Sequence, residues 1–140
     1  MLEIVSGDVG MIQSRYDKIE KMINESVAYE LEQLILNYSL VEARKSYREI
    51  KQNAKHYFDE AEINTAAYRF MRRKEYDEAA FLFRINVKQY PQSANAFDSY
   101  AEVLLALDKK KEALENYKKS LELNPENENA KKMIEELQKK

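Results

Sequence analysis

The chain contains no cysteine, one histidine, two glycines and two prolines among its 140 residues. The missing cysteines exclude disulfides, thiol catalysis and cysteine-based metal centres. With glycine only at Gly7 and Gly10, no G-x-S-x-G turn can be built to present a nucleophilic serine, and no serine is followed three residues later by lysine. Charge of one sign is also scarce: 23 basic side chains face 25 acidic ones, for a net −2. So small an imbalance leaves little long-range attraction for a phosphate backbone, and nucleic acid is not an expected partner. No apolar run approaches the roughly eighteen residues a membrane span requires. The opening "MLEIVSGDVGMI" has neither a basic start nor an apolar stretch long enough for a signal peptide. The chain therefore reads as cytoplasmic with no membrane partner, unless it derives from a larger exported protein.

What remains points to helices. Hydrophobic residues make up 44% of the chain and charged residues 34%, and so little glycine favours long helical runs, an all-α class. The length suits one domain, residues 1–140, able to bury about two-thirds of the surface its unfolded chain exposes.

The two prolines carry the first organising signal. Pro91 and Pro125 lie 34 residues apart, and the same shift lays "EYDEAAFLFRINVKQYPQS" on "KKKEALENYKKSLELNPEN". Glu78 then pairs with Glu112, Ala79 with Ala113, Phe83 with Tyr117 and Val87 with Leu121. Further back, Ile63, Ala66, Ala67 and Phe70 fall on Phe97, Tyr100, Ala101 and Leu104. Spacings of three and four put each set on one helix face, so each unit is two helices joined by a turn. Proline stops the second helix so that the next unit can fold back.

This 34-residue pattern of small, aromatic and proline positions resembles the tetratricopeptide repeat. The resemblance implies a right-handed α-α superhelix of helix hairpins, with Ala79 and Ala113 at close helix approaches. Two departures stand out. Ala67 and Ala101 replace the usual glycine of the first helix, and Asn86 and Ser120 replace the usual small residue late in the second. Asn86 puts a polar group at a packed junction and needs a partner.

A shift of 36 brings Val27, Leu31, Leu34 and Ile35 onto Ile63, Ala67, Phe70 and Met71, and Ala43 and Tyr47 onto Ala79 and Phe83. This defines a degenerate repeat over residues 25–59, ahead of repeats at 60–93 and 94–127. Ile12, Tyr16, Ile19 and Ile23 indicate one more amphipathic helix within residues 1–24. Ala130, Met133, Ile134 and Leu137 give residues 128–140 a single apolar side, as a C-terminal capping helix requires. About eight helices are expected. Asp59 with Glu62 forms a capping box, Phe58 with Ile63 its hydrophobic staple, and Ser93 and Asn127 stand as N-caps.

A second likeness covers roughly residues 42–130. A tyrosine-containing helix ending near "YREIK", then Glu60 to Asn64, the stretch Asn86 to Asn95, and Asp98 with Ser99 are similar to the helical appendage that follows the catalytic domain in some β-lactamase-related serine hydrolases and esterases. That resemblance implies an accessory domain that stabilises or pairs an enzyme. It carries no activity, because the catalytic residues are absent.

Few side chains suggest chemistry. His56 has no second histidine or cysteine to complete a zinc site and reads as a junction residue. Glu135 and Glu136 read as solvated surface, and the basic stretch Arg72, Arg73 and Lys74, preceded by Arg69, as a solvated turn. Asn64, Asn86, Asn95 and Ser99 read as satisfying backbone groups where units meet, with ligand contact as the alternative. No catalytic residue, metal or cofactor is expected, and the chain is not read as an enzyme.

The tetratricopeptide resemblance implies a concave groove lined by the first helix of each pair, holding an extended peptide. By register that groove presents Ala28 and Glu32, then Asn64, Tyr68 and Arg72, then Asp98 and Glu102. Family members that bind chaperones hold a peptide's terminal carboxylate with lysine, arginine and asparagine. In this chain Asn64, Tyr68, Asp98, Ser99, Asn129 and Met133 occupy the corresponding region, so those cations are missing. The expected partner is a protein or peptide segment carrying Lys or Arg, drawn to Glu32, Asp98 and Glu102. The oligomeric state stays open.

Overall fold

The computed structural model describes Arg15 and residues 26–139. Seven helices are present among the described residues: α1 Val27–Asn37, α2 Leu40–Gln52, α3 Glu60–Arg72, α4 Tyr76–Gln89, α5 Ala94–Ala106, α6 Lys110–Leu123 and α7 Glu128–Gln138. They divide between two compact units, one ending at Tyr57 and one beginning at Phe58. The expected helix carrying Ile12, Tyr16, Ile19 and Ile23 lies outside the described residues.

In the first unit α1 packs against α2. Val27, Leu31 and Ile35 are buried on one side of α1, and Ala43 and Ile50 on α2. Ser26 and Ser39 accept the N–H groups of Tyr29 and Glu42 and so start the two helices. A parallel bridge joins Ser26 to Tyr57, with the Val27 N–H donating to the Tyr57 carbonyl at 3.0 Å. His56 pairs through Nε2 with the Glu30 carboxylate and is 13% exposed. It closes the segment after α2 onto α1, in keeping with a junction histidine.

The second unit is a helix hairpin, a second hairpin and a closing helix. Its α3 and α4 are repeated by α5 and α6 at a displacement of 34 residues, and α7 begins 34 residues after α5. Consecutive helices pack on one another, and α3 also meets α5. Ala79 and Ala113 are fully buried; without side chains beyond Cβ they permit the close approach that a bulkier residue would block.

Both hairpin turns have the same construction. Lys74 and Asp108, 34 residues apart, hold φ of 61° and 59°. The Lys74 and Glu75 N–H groups bond back to Met71 and Phe70, as those of Asp108 and Lys109 do to Leu105 and Leu104. This is the helix-ending arrangement that favours glycine at the left-handed position, occupied in both turns by another residue. Between hairpins, Pro91 and Pro125 follow the last turns of α4 and α6, and Ser93 and Asn127 cap the next helices through the N–H groups of Ala96 and Ala130. Asp59 caps α3 through the Glu62 N–H at 2.9 Å.

The Asn86 side chain finds a partner within its own repeat for its Nδ2, while its Oδ1 is buried without one. It is 1% exposed, and its Nδ2 donates to the Glu60 carbonyl at 3.1 Å. Ser120, at the equivalent position, donates to the Ala94 carbonyl at 2.7 Å. Each bond ties the end of a second helix to the start of its first. At the far end, Met133, Ile134 and Leu137 of α7 pack on a core of Ala101, Leu104, Ala113, Tyr117 and Ala130. No described helix is long and apolar enough to cross a membrane.

Candidate functional site

One face of the second unit gathers polar side chains from α3, α5 and α7. Tyr68 of α3 and Glu102 of α5 hold equivalent repeat positions, 34 residues apart, and packing α3 beside α5 brings them together. Tyr68 Oη lies 2.7 Å from Glu102 Oε2 and 3.0 Å from Ser99 Oγ. A carboxylate can only accept and a phenol has one proton, so Tyr68 donates to Glu102 and Ser99 donates to Tyr68. The phenol ring stands edge-on to Phe83, with centroids 4.9 Å apart.

Burial pushes the Tyr68 phenol up to about 12; the bond from Ser99 opposes this, while the Glu102 bond and the charges of Glu102 and Asp98 reinforce it. Tyr117, beneath the same face on α6, is raised further by burial and then by Asp98 and Glu102. Both phenols stay protonated through neutral pH, so Tyr68 remains a donor to Glu102.

Asp98 is engaged differently. Its Oδ2 accepts from Asn127 Nδ2 and its Oδ1 from Asn129 Nδ2, each at 2.9 Å. Asn127 also reaches Ser120 Oγ at 2.9 Å while its Oδ1 caps α7. The two asparagines therefore dock the start of α7 onto α5 through Asp98.

The other expected residues fall as follows. Asn64 stands one turn before Tyr68 on α3, and its Oδ1 is buried without a hydrogen-bond partner. Arg72 is exposed at the last turn of α3. Glu32 is half-buried on α1 in the first unit, and the face described is the second unit's alone. Of the four short polar residues read as backbone partners, Asn86 alone is seen to donate to backbone. Ser99 instead bonds the Tyr68 side chain, and Asn95 is exposed. Register reasoning did not foresee the docking of Asn127 and Asn129 on Asp98, because it joins different positions of consecutive units. The Tyr68 and Glu102 bond did have a signal, their shared repeat position.

Among the described residues no group of three or more His, Asp or Glu side chains could hold a metal ion. The Arg72 to Lys74 turn is partly neutralised by Arg73 Nη2 bonding Glu75 at 2.9 Å, and Arg73 also lies over the Phe70 ring.

No family model and no curated protein matches the sequence. Among solved structures, the first TPR of Spaghetti (RPAP3) bound to HSP90 peptide SRMEEVD is similar to this chain. Identity is 19%, the likeness covers 79% of this chain and 86% of that one, and the TM-score is 0.55. At that identity the likeness shows the fold, which is all-α and of the tetratricopeptide type.

Proposed function

We propose that the chain is a non-catalytic protein-interaction module that takes an extended partner segment across the α3, α5 and α7 face of its second unit, and that the segment carries Lys or Arg. The observation that carries this reading is the exposed Glu102 carboxylate, held in place by a donated phenol proton from Tyr68. The fold supports it: the similar solved structure is of a protein bound to a peptide, SRMEEVD, whose last four residues include three acids. An acidic segment would meet Asp98 and Glu102 on this face, and like charges oppose association. A basic segment is drawn in, with its on-rate falling as salt rises. Arg72, one turn beyond Tyr68, leaves room for an acidic residue elsewhere in the same segment.

The test is selection from a random heptapeptide library displayed on phage. The wild-type protein should enrich Lys- or Arg-containing peptides, and Glu102→Lys should lose that enrichment while circular dichroism shows an intact fold. Enrichment of acidic peptides, or of none, overturns the reading. Asp98 is unsuitable for charge reversal, because lysine there would face the two amide donors that hold α7.

A further inference from the structure

The two carboxylates of this face are not equivalent, and we infer that they divide the work: Glu102 reads the partner's cation, whereas Asp98 is a positioning residue that fixes α7 at the edge of the face. The inference rests on the proposed binding reading and assigns its specificity to one side chain.

The geometry separates the pair in three ways. Both Asp98 oxygens already accept an amide proton, from Asn127 and Asn129, whereas Glu102 accepts only at Oε2, from Tyr68. Exposure differs in the same direction: Asp98 is partly buried and Glu102 exposed. The donors differ in what they are fixed to. The donors to Asp98 belong to the start of α7, where Asn127 also caps the helix through the Ala130 N–H at 3.1 Å. The donor to Glu102 is a half-buried phenol packed edge-on to Phe83, which holds one oxygen of an exposed carboxylate.

A lysine or arginine gains most from a carboxylate that keeps an acceptor free and is already oriented, since less side-chain freedom is lost on binding. Glu102 meets both conditions. At Asp98 an incoming cation must share acceptors with two amides or displace them, and displacement would undo the bonds that dock the start of α7 on α5. The site therefore presents one cation-reading position with a neighbouring charge that adds long-range attraction. One basic residue in the partner, rather than a pair spaced to match both acids, is what this arrangement accepts.

The experiment uses the full chain and the heptapeptides enriched on the wild-type protein, comparing Glu102→Gln with Asp98→Asn. Glutamine keeps an oxygen for the Tyr68 proton, so Glu102→Gln should fold normally and bind the selected peptides roughly tenfold more weakly. Asp98→Asn sets an amide against an amide donor. It should weaken binding less than Glu102→Gln does, because the acceptor that meets the cation is kept, while amide exchange in α7 accelerates. Asn129→Ala, which keeps the Asp98 charge and removes one donor, should accelerate α7 exchange in the same way. The inference is overturned if Asp98→Asn abolishes binding while Glu102→Gln retains it, or if α7 exchange is unmoved by both Asp98→Asn and Asn129→Ala. Failure of the wild type to enrich basic peptides at all would instead overturn the binding reading, and this inference with it.

Discussion

Asn86 and Ser120 make the same bond one repeat apart, each reaching back 26 residues to the carbonyl of the first residue in its hairpin. These bonds close the hairpins at the ends opposite their turns. Asn86→Ala would leave the Glu60 carbonyl without its amide donor and open a small void, and should cost about 1–3 kcal/mol in a urea melt. Ser120→Ala removes a smaller group and should cost about 1 kcal/mol. Equal stability of wild type and Asn86→Ala would mean that the bond contributes nothing to the fold.

Lys74 and Asp108 hold left-handed backbone where glycine carries no steric penalty. Lys74→Gly and Asp108→Gly should each raise stability by about 1 kcal/mol, because the left-handed penalty of a residue with Cβ is removed. The two turns are separate, so the gains should add in the double variant. A loss of stability in either single variant would show that the side chain contributes more than the backbone strain costs.

The phenols report burial by titration. The Tyr68 pKa rises from 10.0 in the free side chain to about 12, chiefly through desolvation, and those of Tyr90, Tyr100 and Tyr117 also rise through burial. Between those limits the unfolded chain gives up the Tyr68 proton before the folded chain does. Its contribution is therefore complete below pH 10 and is lost as pH rises through about 12. Phenolate absorbance should show a late-ionising set of tyrosines that shrinks by one in Tyr68→Phe. A single step near pH 10 for all phenols of the folded protein would contradict the burial assigned to them.

Removal of residues 128–140 should uncover Ala101, Leu104 and Tyr117, on which Met133, Ile134 and Leu137 pack. An apolar face freed in this way promotes association. Light scattering should show self-association and melting should show a lower transition. A truncated chain that stays monomeric with unchanged stability would deny α7 its role as a cover.

Much of the fold was legible in the sequence because a repeat states each decision twice. The 34-residue shift that aligned Pro91 with Pro125 also aligns α3 with α5 and α4 with α6, and the alanines chosen as close approaches are fully buried. Local capping was legible for the same reason that it works: a side-chain oxygen three residues before the N–H that donates to it needs no tertiary partner. The left-handed turns were not: aspartate, as at Asp108, tolerates such backbone, but the equivalent position of the preceding repeat holds Lys74, a type that does not mark it.

The candidate site divides along the same line. By itself the sequence determined that Asp98 and Glu102 share a helix face, which follows from the 3.6-residue turn, and the 34-residue register set Tyr68 at the position equivalent to Glu102. Tertiary structure decided what each of them does. Asp98 and Glu102 are both acids one helical turn apart, and nothing in their spacing separates them. Only the packing of α3 and α7 on either side of α5 commits one to Asn127 and Asn129 and the other to Tyr68. A hydrogen bond between helices depends on reach and direction across a junction, which periodicity does not encode.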